Sequence, residues 1–270
     1  MQFSVLMSIY KKENPAYFSE CIKSLAQQTL QPDEIVLIED GKLTDELERV
    51  VSEFQNLCPQ LTVYRYEENR GLGKALADGL LKCSYPLVAR MDTDDVAFPD
   101  RYERQVKAFE EDPDLALCGG QVLEFSGSTD NVLRRKLVPT EYEDVLRYAR
   151  RRNPFNHPSV MFKKDAVLAA GSYQHMPYFE DYYLWARMLA AGDKCINLSD
   201  FILYFRAGEE VYQRRGGWSY VGDAIHARWA IHKIGVSGLF DFLYASAGQT
   251  LVSLMPNKTR GNFYRKVLRK

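Results

Sequence analysis

The first 120 residues alternate short apolar runs with amphipathic helical patterns, and that alternation leaves few architectures open. Residues 3–10 read as an apolar strand, and residues 16–28 as a helix with Phe18, Ile22, Leu25 and Ala26 on one face. A second strand over 34–38 runs into Glu39-Asp40-Gly41, and a helix follows over about 45–57. Residues 61–66 form a third strand, 73–81 a helix and 88–91 a fourth strand. Strands separated by helices pair in parallel through right-handed crossovers. The expected fold is therefore a doubly wound α/β layer, with its ligand edge at the carboxyl ends of the strands.

At that edge stands Asp92-Thr93-Asp94-Asp95, three carboxylates in four residues, directly after the run Tyr85-Pro86-Leu87-Val88-Ala89-Arg90-Met91. Carboxylates this close repel one another unless a cation shares their charge. Hard oxygen ligands suit Mg²⁺ or Mn²⁺, which normally bridge to a substrate phosphate as well. A solvated acidic turn accounts for the same residues. Three other strand ends carry polar groups. Tyr10-Lys11-Lys12-Glu13-Asn14 follows the first strand. Asp40 either accepts hydrogen bonds from a base or ribose or serves as a turn Asp before Gly41. Asn69-Arg70-Gly71-Leu72-Gly73-Lys74 opens a helix with two glycines, an Arg and a Lys, which suits a diphosphate through backbone N–H groups, helix dipole and charge. It is neither a Walker loop nor Gly-x-Gly-x-x-Gly.

Downstream the pattern changes. A helix over about 100–111 is capped at Pro99-Asp100 and stopped by Asp112-Pro113, and a strand over 115–125 follows. A helix near 141–151 leads into Asn153-Pro154-Phe155-Asn156-His157-Pro158, then a strand over 159–162, a helix over 180–191 and a short strand over 194–198. From Trp218 onward two helices are expected, ending in a basic tail. No Pro/Gly/Ser-rich linker cuts the chain, so it reads as one domain with a helical C-terminal extension.

The net charge of −1 hides an asymmetry: residues 1–120 carry 22 acidic and 13 basic side chains, residues 121–270 carry 14 and 22. The acidic half suits metal ions and the basic half suits anionic partners. Basic residues lie in the tail and in Arg150-Arg151-Arg152, with no recognised nucleic-acid module, so nucleic acid is not an expected partner. The five cysteines are scattered and never spaced Cys-x-x-Cys, as in a reduced cytosolic protein without a disulfide framework or zinc site. Residues 1–5 lack signal-peptide character, and no uninterrupted apolar stretch is long enough to span a membrane. The expectation is a cytoplasmic protein, at most peripheral on the inner face of the cell membrane.

Five segments together resemble family 2 glycosyltransferases of the GT-A fold, the inverting enzymes that use nucleotide-sugars. They are Val5-Leu6-Met7-Ser8-Ile9-Tyr10; Gln27-Gln28-Thr29 with the run from Glu34 to Gly41; Asn69 to Ala75; Met91-Asp92-Thr93-Asp94-Asp95; and Phe179-Glu180-Asp181-Tyr182-Tyr183-Leu184-Trp185. Each is modest alone; in this order they are specific. Many relatives have Asp where this chain has Tyr183. The resemblance implies a Rossmann-like, mostly parallel sheet flanked by helices. Residues 1–215 would form the nucleotide-sugar-binding catalytic domain, and 216–270 a helical, basic extension. It further implies that Asp40 and Arg70 contact a uridine, that Asp92 with Thr93 helps hold the nucleotide, and that Tyr10, Glu13 and Lys74 line the donor site. Asp94, seconded by Asp95, would bind Mn²⁺ or Mg²⁺ on the donor diphosphate. Asp181 would be the catalytic base, removing the proton of the acceptor hydroxyl as it attacks the anomeric carbon from the face opposite the diphosphate. Read without the resemblance, Glu180-Asp181 is an acidic pair favoured by a helix dipole.

The segment Asn153 to Phe162 resembles one typical of bacterial family 2 enzymes that build surface polysaccharides. His157 then stands near the acceptor or diphosphate, or is a structural hydrogen-bonded histidine. Arg206, Arg214 and Arg215 form a basic loop placed to close over a diphosphate, or a solvated turn. The tail from Pro256 holds six basic residues and no acids, with Phe240, Phe242, Leu243 and Tyr244 upstream. It reads as a contact for an anionic membrane or as a solvated helix end. The expected activity is transfer of a sugar, first galactose, from a UDP-sugar to a lipid-diphosphate-linked saccharide in O-antigen, capsule or exopolysaccharide assembly. Two alternatives stand beside it. One is a haloacid-dehalogenase-like phosphatase using Asp92 and Asp94, although that family carries the motif on its first strand. The other is a non-catalytic nucleotide-sugar-binding assembly protein.

Overall fold

The computed structural model describes residues 1–207 and 216–256. The opening alternation becomes β1 (Phe3–Ile9), α1 (Pro15–Ala26), β2 (Glu34–Glu39), α2 (Asp45–Leu57), β3 (Leu61–Arg65), α3 (Leu72–Lys82) and β4 (Leu87–Arg90). Local chemistry sets the helix starts. Asn14 Oδ1 accepts from the Ala16 N–H at 2.9 Å with Pro15 in the first turn, and Thr44 Oγ1 accepts from the Leu47 N–H ahead of Asp45, Glu46 and Glu48. These strands pair in parallel in the order β3-β2-β1-β4, as the alternation requires.

The chain continues through β5 (Val96–Ala97), α4 (Arg101–Glu111), β6 (Leu115–Ser126), β7 (Ser128–Lys136), α5 (Tyr142–Ala149), a 3₁₀ turn at His157–Ser159, β8 (Met161–Lys163), α6 (Lys164–Ala169), α7 (Glu180–Ala190) and β9 (Lys194–Arg206). Two helices, α8 (Gly217–Lys233) and α9 (Leu239–Ser253), complete the described residues. The nine-stranded sheet runs β3-β2-β1-β4-β8-β6-β9-β5, with β7 hairpinned onto β6. Beyond β4 it is mixed: β8 is antiparallel to β4 and β6, while β9 is parallel to β6.

The strand expected at 194–198 is the first part of a 13-residue strand. Asn197, Ser199 and Asp200 hide that continuation by breaking the apolar pattern. Asn197 is buried because its Nδ2 donates to the carbonyls of Pro139 and Pro154, and Gln121 Nε2 donates to the Leu198 carbonyl at 2.8 Å. The β7 hairpin had no signal because its strand is a largely exposed edge, Ser-Thr-Asp-Asn-Val-Leu-Arg-Arg-Lys, without alternation.

Both faces of the sheet are covered. Phe3, Val5, Met7 and Ile9 of β1 pack with Phe18, Leu47 and Phe54 on one face, while Leu6, Val36 and Ile38 pack with Leu76, Leu80 and Trp185 on the other. No helix among the described residues is long and apolar enough to cross a membrane.

Candidate active site

The carboxyl ends of β1, β2 and β4 share one edge, which brings the first four motifs side by side. At the end of β2, the buried Asp40 holds the neighbouring loop. Its Oδ1 accepts from the Arg70 N–H at 2.7 Å, and its Oδ2 accepts from the Gly71 N–H and from Asn69 Nδ2, both at 2.9 Å. Gly41 permits this approach. Its φ is +87°, and a Cβ there would lie 2.8 Å from the Asn69 nitrogen. Behind it Glu39 is buried against Arg65 at 3.1 Å, and burial, then Glu48, raises its pKa to about 7. Arg70 and Lys74 both pair with Asp78, and the Arg70 guanidinium lies 4.5 Å from the Tyr66 ring centroid. Tyr10 and Glu13 close the turn after β1, the Glu13 N–H donating to the Tyr10 carbonyl at 3.1 Å.

The acidic loop after β4 is built from both sides. Asp92 pairs with Arg90, a fully buried guanidinium that sequence reasoning passed over. Thr93 is buried, and Asp94 is half-buried. Loss of hydration and the Asp92 charge push the Asp94 carboxyl up to about 6. Asp95 is fully buried. Its Oδ1 accepts from the Arg206 N–H at 2.8 Å, while Oδ2 has no hydrogen-bond partner among the described residues. Burial, then Asp94 and Asp92, drive its pKa well upward. Arg206, at the end of β9, also donates through Nε to the Asp94 carbonyl at 2.8 Å and pairs with Glu20. An unpartnered buried carboxylate oxygen and a desolvated neighbour describe a loop short of positive charge. The oxygen-only donor set fits Mn²⁺ or Mg²⁺. No group of three or more His, Cys, Asp or Glu is gathered around one point among the described residues.

The Glu180-Asp181 pair opens α7 and faces the same region. A cleft of about 200 Å³ is lined by Leu72, Gly73 and Leu76 of α3, by His157 and Tyr173, and by Tyr178, Glu180 and Asp181. A Cβ on Gly73 would lie 3.0 Å from Glu180 Cγ, so the glycine-rich helix start and the acidic helix start pack directly. Asp181 Oδ2 accepts from Asn153 Nδ2 at 2.7 Å, and Oδ1 accepts from the Tyr182 N–H at 2.7 Å. Loss of hydration raises Glu180 to about 7, with Asp181 adding to the shift. His157 Nε2 lies 3.1 Å from the Tyr173 hydroxyl, and lost hydration, then the Arg90 charge, lower its pKa to about 4. It is thus a neutral imidazole at neutral pH, packed against Trp185. Tyr178, at the rim, is exposed and has φ +66°, a conformation that non-glycine residues adopt at a cost.

The structure therefore brings Gly73, His157, Glu180 and Asp181 into one cleft. It seats Asp40 under the loop that precedes α3, buries Asp95 against the Arg206 backbone and ties Arg70 and Lys74 to Asp78. Arg214 and Arg215 lie outside the described residues. Arg90, Asn153 and Tyr173 were missed as site residues. Only the Asn-Pro-Phe-Asn-His-Pro segment hinted at Asn153.

Comparison with known proteins identifies the family and the fold. The family model described as "Glycosyl transferase family 2" matches residues 4–172. The chain is 41% identical to the "Amylovoran biosynthesis glycosyltransferase AmsE" of Erwinia amylovora, over 98% of each chain. It is 34% identical to the "UDP-Gal:alpha-D-GlcNAc-diphosphoundecaprenol beta-1,3-galactosyltransferase" of Escherichia coli, over 100% of this chain and 97% of that one. In three dimensions it resembles Staphylococcus aureus TarS 1–349, solved in complex with UDP-GlcNAc, with a TM-score of 0.67 and 18% identity over 99% of this chain and 76% of that one. This is the GT-A fold.

Proposed function

The chain belongs to glycosyl transferase family 2, and from that premise we propose that it is an inverting hexosyltransferase of bacterial surface polysaccharide synthesis. It moves a sugar, galactose in the first instance, from a UDP-sugar to a lipid-diphosphate-linked saccharide and forms a β-linkage. The observation that carries this reading is the placement of Asp181. Its carboxylate lines a cleft beside the glycine-rich start of α3, with one oxygen held by the Asn153 amide at 2.7 Å. Full-length similarity to a galactosyltransferase whose name gives a diphosphoundecaprenol acceptor supports the substrate class.

In this reading Asp40, Arg70, Asp92 and Thr93 hold the nucleotide, and Tyr10, Glu13 and Lys74 flank it. Asp94, backed by Asp95, would hold Mn²⁺ or Mg²⁺, which when bound offsets the charge building on the leaving diphosphate. Asp181 takes the proton of the acceptor hydroxyl while that oxygen bonds to the anomeric carbon and the bond to the diphosphate breaks. The Asn153 amide keeps one carboxylate oxygen fixed through the step. His157 stays neutral and orients the Tyr173 hydroxyl at the cleft wall. Glu180 borders the acceptor and diphosphate side.

The test is transfer from a panel of UDP-sugars to a lipid-diphosphate-linked N-acetylhexosamine, with thermal stabilisation by UDP measured in parallel. Asp181→Ala is expected to abolish transfer and retain UDP stabilisation. Persistent transfer in that variant would remove Asp181 from the base role, and absence of any response to uridine nucleotides would overturn the donor class.

A further inference from the structure

Helix α9 turns an apolar side outward, where a surface helix ordinarily meets water with polar residues. Its outward positions Phe240, Leu243, Tyr244, Ala247, Leu251 and Leu254 recur at helical spacing and form one apolar stripe. The five large side chains among them are 41 to 71% exposed. The side facing the protein is mixed: Ser246, Val252 and Ser253 are buried, Phe242 packs on α8, and Asp241 pairs with Arg151 at 2.6 Å. Helix α8 continues the pattern with Trp218, Ile225 and Trp229 exposed at positions four and seven residues apart, and Trp229 meets Phe242 of α9 at 5.3 Å between centroids. An apolar face along two neighbouring helices is a docking surface, not scattered surface hydrophobicity.

Three features say what covers it. Cations border the aromatics: the Arg151 guanidinium lies 4.8 Å from the Tyr244 centroid, and Lys233 Nζ lies 5.7 Å from that of Trp229. Arg150 and Arg152 are exposed beside Arg151. The chain that follows the stripe, residues 256–270, carries six basic side chains and no acidic one. Two copies meeting through this face would set Arg150, Arg151, Arg152 and Lys233 against their counterparts, whereas an anionic surface complements them. Third, the face starts at the cleft. Trp218 stands two residues before Tyr220, whose ring lies 5.2 Å from that of Tyr178 on the cleft rim.

We propose that the outer face of α8 and α9 seats on an anionic lipid bilayer. Phe240, Leu243, Tyr244 and Leu251 enter the acyl boundary, and Arg150, Arg151, Arg152 and Lys233 stand at the headgroups. Aromatic and aliphatic side chains immersed below a rim of Arg and Lys are the arrangement of interfacial helices that lie in the membrane plane. The surface deepens the acceptor assignment above, because it would present the Tyr178 rim to a substrate carried in the same bilayer. Its support in the helices is independent of that assignment.

The experiment is co-sedimentation of the full chain with phosphatidylcholine vesicles, with and without phosphatidylglycerol, for the native protein and for Leu243→Asp/Leu251→Asp. Both positions are exposed, so the fold should tolerate the change, and unchanged thermal stabilisation by UDP serves as the control. The native chain is expected to bind the phosphatidylglycerol vesicles, more weakly as salt rises. The double variant is expected to bind about a hundredfold more weakly, from two apolar burials lost at about tenfold each. Equal binding by the two proteins, or no binding by either, would overturn the proposal. So would a native dimer in light scattering that the substitutions dissociate, since a second copy would then be the occupant. Sugar transfer to a short-chain, water-soluble acceptor should be the same in both proteins, which separates failure of this surface from failure of the donor and acceptor reading.

Discussion

Asn153 holds Asp181 through a single amide hydrogen bond of 2.7 Å, across 28 residues of chain. The amide cannot turn over without loss, because Asn153 Oδ1 accepts from the Phe155 N–H at 3.2 Å. In the proposed base role, the carboxylate that meets the acceptor hydroxyl is thereby held in one orientation.

Removing the two partners should therefore separate by size. Asp181→Asn is expected to lower kcat by about 10²–10⁴, the usual contribution of a positioned general base. Asn153→Ala keeps the base but frees it, and a loss of about tenfold to a hundredfold in kcat is expected. KM for the UDP-sugar should hardly change in either. Steady-state kinetics on the two variants and their combination checks this, and the double variant should be little worse than Asp181→Asn.

Asp94 makes the ligand-free protein sensitive to pH. Its carboxyl is raised by burial and by Asp92 from 3.8 to about 6, so the folded state binds the proton more tightly than the unfolded chain. The stability linked to this group is fully present below pH 3.8 and is lost as pH rises through about 6. Asp94→Asn should therefore raise the melting temperature of the ligand-free protein at neutral pH and leave it little changed near pH 4. The same substitution should remove any gain in UDP stabilisation from Mn²⁺. Thermal denaturation across pH, with and without metal, reads both effects.

Glu180 touches the start of α3 at Gly73 and titrates near pH 7, raised by its burial. Its negative charge opposes a diphosphate placed there. In the absence of metal, UDP affinity should therefore rise as pH falls through about 7, and Glu180→Gln should flatten that dependence. Calorimetric titration of UDP on either side of that pH decides it. An unchanged slope in the variant would move the titrating group elsewhere.

At Gly41, φ of +87° and a neighbouring backbone nitrogen 2.8 Å from a Cβ position leave no room for a side chain. Gly41→Ala should cost about 1–3 kcal/mol of stability in denaturant unfolding. It should also weaken UDP binding, because the loop that Asp40 gathers at Asn69, Arg70 and Gly71 must shift.

Much of this was legible along the chain because it depends on neighbours in sequence. The alternating apolar runs set four parallel strands and the helices between them, and each strand end showed which polar residues reach the ligand edge. The order of five short motifs was enough to indicate the family, since each lies within a few consecutive residues. What only the tertiary structure decided are the relationships between distant segments. Arg90 reads as part of an apolar strand, yet its guanidinium closes on Asp92. Asp95 looks like a third ligand in the acidic run, yet its Oδ1 takes the Arg206 N–H from a strand 111 residues later. Asn153 lies in a segment the sequence singles out, yet only folding shows that its partner is Asp181. Two helices were expected from Trp218 onward, but which side of α9 faces the protein depends on what the rest of the chain packs against it, and here Ser246, Val252 and Ser253 are the buried residues while a row of large apolar side chains faces out.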